Sequence, residues 1–168
     1  TMMNNDISQL RYILQTAKTI AVVGLSAQWN RPSYFAAKYM QAHGYTIIPV
    51  NPRYAESTDT SGTPILNEKC YASLLDIPVQ VDIVDVFRKP ADCMGILDEA
   101  IAIKAGTLWL QLGISVPEVA EKGDASGMKV VMNRCLKIEH ARFHGGLHLA
   151  GFNTGVISSQ RNAKKGEN

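Results

Sequence analysis

Residues 19–25 read TIAVVGL. Apolar and β-branched side chains run unbroken up to Gly24, with no polar alternation. A strand of this kind is buried on both faces, which is the habit of parallel sheets. The glycine at its end permits a sharp turn and a close approach of backbone to a ligand. Downstream, Pro32 and Ser33 open a helix whose inner face is expected to carry Phe35, Ala36, Tyr39 and Met40, and Gly44 closes it. The next strand is YTIIPV at 45–50. Pro49 within it suits the end of a strand rather than the middle of a central one.

The same alternation continues in both directions. Upstream, Asp6–Lys18 places Ile7, Leu10, Leu14 and Ala17 on one helical face. Downstream, 51–67 is loop-like and Tyr71–Asp76 is a short helix. A third strand, VDIVDVF, covers 81–87, and Pro90 starts a helix with Met94, Leu97, Ile101 and Ala105 along one side. TLWLQL at 107–112 is a fourth strand, Val116–Lys122 a short helix with Pro117 in its first turn, and KVVM at 129–132 a fifth strand. Strands alternating with helices predict an α/β fold, a parallel sheet of about five strands with helices on both faces. Its crossovers should be right-handed. Ligands of such sheets bind beyond the carboxyl ends of the strands, where the strand order reverses. We divide the chain into one domain over 1–142 and a C-terminal extension over 143–168, with the last residues loose.

Composition agrees with one globular domain. The chain has 168 residues, 46% apolar and 19% charged, well away from disordered sequences. The formal net charge is +2. Without the last eight residues, which carry Arg161, Lys164, Lys165 and Glu167, basic and acidic side chains balance at 14 each. A neutral body gives no reason to expect nucleic-acid binding. No apolar run approaches the ~20 residues that span a bilayer, and no signal peptide is visible, so no membrane partner is expected. Cys70, Cys93 and Cys135 are odd in number and widely spaced, which argues against a disulfide framework or a standard zinc site. The expectation is a cytoplasmic protein, monomer or homodimer.

The strand ends carry the chemistry. A dinucleotide fingerprint needs G-x-G-x-x-G, and here those three positions are Gly24, Ser26 and Trp29. The loop still offers the hydroxyls of Ser26 and Ser33, the guanidinium of Arg31 and a helix start, all suited to an anion. The second strand ends in Asn51-Pro52-Arg53, where an NAD site normally has a carboxylate. A cation there favours a phosphorylated ribose, either the 2′-phosphate of NADP or the 3′-phosphate of coenzyme A. Phe87 and Arg88 end the third strand and can wall and stack a purine. Gln111 and Gly113 end the fourth. Asn133-Arg134-Cys135 ends the fifth, and Cys135 reads as a buried, inert thiol.

These segments together resemble a known family. IAVVGLS (20–26), Arg-Pro-Ser-Tyr (31–34), IIPVNPR (47–53), VDIVDVFR (81–88), LWLQLGI (108–114) and VVMNRC (130–135) are similar to the stand-alone CoA-binding domain proteins. Those proteins are related to the N-terminal CoA-binding domain of the succinyl-CoA synthetase alpha chain. The resemblance covers roughly residues 7 to 142. It implies a single Rossmann-like, doubly wound sheet holding coenzyme A at the strand ends. Gly24, Ser26, Arg31 and Ser33 would then meet the pyrophosphate, with Leu25 and Tyr34 in the same binding segment. Pro52 and Arg53 would meet the ribose 3′-phosphate, and Phe87 and Arg88 would border the adenine. Gln111, Gly113 and Ile114 would line the pantetheine path. The synthetase's second domain, with its phosphorylated histidine, has no counterpart in the residues compared, so the resemblance implies no ligase chemistry.

No catalytic constellation stands out. There is no P-loop, no H-E-x-x-H and no G-x-S-x-G. Asp82 and Asp85, three apart on a strand, face opposite sides and make a poor carboxylate pair. His140, His144 and His148 recur every four residues, but Gly145 and Gly146 interrupt a helix there, so no metal site is expected. The reading is a binder of coenzyme A or acyl-CoA without catalysis of its own. The alternative is an NADP-linked reductase or an acyl-CoA-using enzyme.

Overall fold

Five parallel strands form one sheet in the order β2-β1-β3-β4-β5. The computed structural model describes residues 7–55 and 65–144. Its elements are α1 (Ile7–Thr16), β1 (Thr19–Val23), α2 (Pro32–Ala42), β2 (Thr46–Val50) and the single turn α3 (Pro52–Ala55). They continue with β3 (Ile83–Val86), α4 (Cys93–Ala102), β4 (Thr107–Leu110), α5 (Pro117–Ala125), β5 (Lys129–Val131) and α6 (Leu136–His144). The α/β class and the five strands are those read from the sequence. The chain divides into two units, 1–137 and 138–168. The expected extension from 143 lies almost wholly outside the described residues.

Burial of both sheet faces explains the unbroken apolar strands. Ala21, Val84, Leu108 and Val130 sit side by side on one face, in a core shared with Leu97 of α4 and Val119 and Ala120 of α5. The residues between them, Ile20, Ile83 and Trp109, turn to the opposite face and are fully buried there.

Pro49 lies inside β2, paired with Val22, and the strand runs one residue further to Val50. The edge position makes this possible. The carbonyl of Pro49 faces outward and accepts from Tyr71 N at 2.9 Å, so its nitrogen also points away from β1. No sheet hydrogen bond is lost there.

Several local expectations are corrected. Phe35 is 49% exposed, because the inner face of α2 is Ser33, Ala36, Ala37 and Met40, a spacing that leaves Phe35 outside. On α1 the buried residues are Leu10, Ile13 and Leu14, while Ile7 is 38% exposed. The helix expected over Tyr71–Asp76 contracts to one 3-10 turn, Leu74–Asp76, begun by the Ser73 side chain accepting from Leu75 N. Pro90–Asp92 is likewise a 3-10 turn that leads into α4. The loop after β2 begins with α3, and α6 is an added element. No helix among the described residues is long and apolar enough to cross a membrane.

Candidate ligand-binding site

The strand order reverses between β1 and β3: from β1 the chain first goes to β2 on one side, and later returns to β3 on the other. Loops leaving the two strands therefore part at their carboxyl ends and open a crevice. Gly24 is the first residue beyond β1. Its φ is +89°, and its N–H donates to Val50 O at 2.8 Å. A Cβ placed there would stand 2.5 Å from the Phe87 carbonyl oxygen and 3.0 Å from Arg88 Cδ. Only glycine satisfies both the backbone angle and the space.

The loop after Gly24 is held by its own hydroxyls. Ser26 N donates to Ser33 Oγ at 3.1 Å, and Gln28 N donates to Ser26 Oγ at 3.0 Å. Ser33 is buried, so its hydroxyl ties the loop to the first turn of α2. Leu25 is fully buried, so its side chain anchors this segment in the core. Tyr34 is half-buried, and Arg31 and Trp29 are exposed.

Asn51, which sequence reasoning did not single out as a site residue, joins the first two loops. Its Nδ2 donates to Leu25 O at 3.1 Å and its Oδ1 accepts from Arg53 N at 3.0 Å. One amide thus sets the loop after β1 and the start of α3 against each other. Arg53 projects into solvent with its guanidinium 5.7 Å from the Tyr54 ring centre.

Beneath these loops lies a cavity of about 260 Å³. Gly24, Pro52 and Arg88, three of the expected site residues, line it together. The others, including Arg31, Arg53, Gln111, Gly113 and Ile114, do not. The far wall is Asp92 at the end of the 3-10 turn, α4 with Ile96 and Glu99, and the segment Ala72–Leu74. Arg88 pairs with Asp92, four residues on, at 3.3 Å. Glu99 Oε1 accepts from Ser73 Oγ at 2.8 Å and from Leu74 N at 3.1 Å. Glu99 and Ser73 were not among the expected residues.

The β4 side differs. Gln111 is buried, its Nε2 donating to Asp85 Oδ1 and its Oε1 accepting from Leu136 N at 3.4 Å. Its side chain is engaged inside the fold. Burial pushes the Asp85 carboxyl up to about 8, partly offset by the Gln111 hydrogen bond. Asp82 sits at the other end of the strand, where its Oδ2 accepts from Lys18 N and Thr19 N. The two aspartates therefore serve separate structural roles. Gly113, at φ +89°, donates to Asn133 Oδ1 at 2.7 Å, and Asn133 N donates to Ile114 O at 3.0 Å. The loops after β4 and β5 are thus joined as the loops after β1 and β2 are.

Cys70 and Cys135 are half-buried and Cys93 is buried, all as free thiols. Burial pushes the Cys70 and Cys93 thiols up, away from the reactive thiolate form. No group of three His, Cys, Asp or Glu side chains able to hold a metal occurs among the described residues. His148 lies outside them.

Residues 18–141 match the model of the CoA binding domain. The chain belongs to this family. The uncharacterized protein YneT of Bacillus subtilis is 37% identical to this CoA binding domain over 140 residues, which make up 83% of this chain and 98% of YneT. The ADP-forming acetate–CoA ligase II of Archaeoglobus fulgidus is 30% identical over 148 residues, 85% of this chain but 19% of the ligase. Among solved structures, cell-free ID.343 from Thermus thermophilus aligns with a TM-score of 0.74 and 40% identity, over 82% of this chain and 98% of that one. The relation to CoA ligases that the resemblance implied therefore holds.

Proposed function

We propose that this CoA binding domain binds coenzyme A or an acyl-CoA across the carboxyl ends of its strands, without catalysis of its own. One observation carries the reading: the glycine turn at the reversal of strand order opens on a cavity lined by Pro52 and Arg88 from two further strand ends, with Arg53 next to Pro52 in the chain. In the bound state the loop from Gly24 to Tyr34, with Ser26, Arg31 and Ser33, faces the pyrophosphate. Arg53 pairs with the ribose 3′-phosphate. The base enters the cavity beside Pro52 and Arg88, with Phe87 next to Arg88 in the chain. The pantetheine arm runs toward Gly113 and Ile114, with Gln111 supporting that loop through its backbone, since Gln111 O accepts from Ile114 N at 2.9 Å. Exposed arginines meet phosphates without a desolvation cost that would cancel the gain.

Thermal shift with coenzyme A, dephospho-coenzyme A, NADP and NAD tests this. A ligand at 100 times its dissociation constant stabilises the fold by about 2.7 kcal/mol. The expected order is coenzyme A first, dephospho-coenzyme A well behind, and the nicotinamide cofactors without effect. Stabilisation by NADP alone would replace this reading with the reductase. Arg53→Ala is expected to weaken coenzyme A by about 10- to 100-fold, the worth of a charge-assisted hydrogen bond. It should leave dephospho-coenzyme A unchanged. Equal losses for both ligands would show that Arg53 does not meet the 3′-phosphate.

A further inference from the structure

The cavity walls are mainly apolar, given by Val23, Val50, Leu74 and Ile96, and two carboxylates reach it. The two are not equivalent. Asp92 Oδ2 is taken by Arg88, through Nε and an end nitrogen, both at 3.3 Å. Glu99 is clamped differently: Ser73 Oγ and Leu74 N both bond to Oε1. These donors stand at the start of a 3-10 turn, so the carboxylate is oriented before any ligand arrives. Oε2 has no hydrogen bond to any described residue. A carboxylate can only accept, so this oxygen is open to an N–H or O–H donor of a ligand. Arg88 already neutralises Asp92, so a phosphate entering the cavity would meet the uncompensated charge of Glu99. A flat apolar base carrying an amino group meets a wall and an acceptor.

We propose that Glu99 reads the exocyclic 6-amino group of the adenine base, making the cavity select adenine over bases with an oxygen at that position. This rests on the coenzyme A reading above. The surroundings agree with it, since Pro52 lines the cavity and the next residue, Arg53, is the cation assigned to the ribose phosphate. In the ligand, base and ribose phosphate are attached to the same sugar. A 6-oxo base would set its carbonyl against Oε2, two acceptors with no proton between them. Sites built to bond an N–H discriminate strongly against analogues that lack it.

The experiment measures, by titration calorimetry, the binding of coenzyme A and of its deaminated hypoxanthine analogue. The unaltered protein should prefer coenzyme A by about 10- to 100-fold. Glu99→Gln keeps an acceptor for Ser73 and Leu74 and adds an amide that can face either base. Its preference should collapse to about threefold or less, mainly through weaker coenzyme A binding. Ser73→Ala loosens the same carboxylate without removing it, and should give an intermediate preference. Equal affinity of the unaltered protein for both ligands overturns the role of Glu99 and leaves coenzyme A binding intact. Undiminished preference in both variants does the same. Failure of the unaltered protein to bind coenzyme A at all overturns the functional reading, and this inference with it.

Discussion

Gly24→Ala should abolish the stabilisation by coenzyme A and lower the melting temperature of the ligand-free protein. Two costs add at this position. A side chain at φ +89° is strained, by about 1–3 kcal/mol. The new Cβ would also lie 2.5 Å from the Phe87 carbonyl, which is backbone and cannot rotate away. Either the loop after β1 or the loop after β3 must move. Both border the cavity, which Gly24 lines from the first loop and Arg88 from the second. We expect at least about 3 kcal/mol of destabilisation, read as a drop of roughly 6–12 °C for a chain of this size. Gly113→Ala is the control. Gly113 has the same φ of +89°, but a Cβ there would meet no atom within 4 Å, so it carries the strain alone. If the two variants melt together, the close approach at Gly24 is relieved at no cost and the argument from space is wrong.

Some of this is legible in the sequence and some is not, for identifiable reasons. The strands are legible because burial on both faces demands unbroken apolar runs, and a sequence displays such runs directly. The importance of Gly24 follows from its place at the end of such a run. Phe35 misleads because an aromatic residue near the start of a helix suggests core, while the inner stripe of α2 is made of smaller residues. Asn51 and Glu99 escape notice for another reason. Their partners, Leu25 O for the first and Ser73 for the second, lie 26 residues away in each case, and no local pattern signals such a bond. Gln111 shows the limit most clearly. A strand-end glutamine suggests an open polar contact. Strand order changes that reading: β3 lies beside β4, and Asp85 is opposite Trp109. Gln111 is two residues beyond Trp109 and so shares its face, where it meets Asp85.

That buried pair gives the protein a pH dependence of stability opposite to that of a typical salt-bridged carboxylate. Asp85 is 1% exposed, and burial raises its pKa from 3.8 to about 8. In the unfolded chain it ionises near its ordinary value. Between about pH 4 and pH 8, therefore, the folded state holds a proton that the unfolded state has lost. Stability falls as pH rises through this window, with a limiting slope of about 1.4 kcal/mol per pH unit for one proton. The contribution is fully present below pH 4 and gone above pH 8. Asp85→Asn should remove this dependence on pH. An asparagine is isosteric, keeps an oxygen to accept from Gln111 Nε2, and never ionises. At pH 4 and below, the variant and the unaltered protein should unfold at similar urea concentrations. By pH 9 the variant should be clearly the more stable, because the unaltered protein must bury a charge that only one amide opposes. Parallel curves of urea midpoint against pH would mean that Asp85 is not the group whose proton is linked to folding. Leu136, the first residue of α6, hangs from the other end of the same glutamine through its N–H. Ionisation of Asp85 should therefore loosen the start of that helix first, and amide exchange at Leu136 should quicken between pH 7 and pH 9 beyond the ordinary base-catalysed rise. In Asp85→Asn only the ordinary rise should remain.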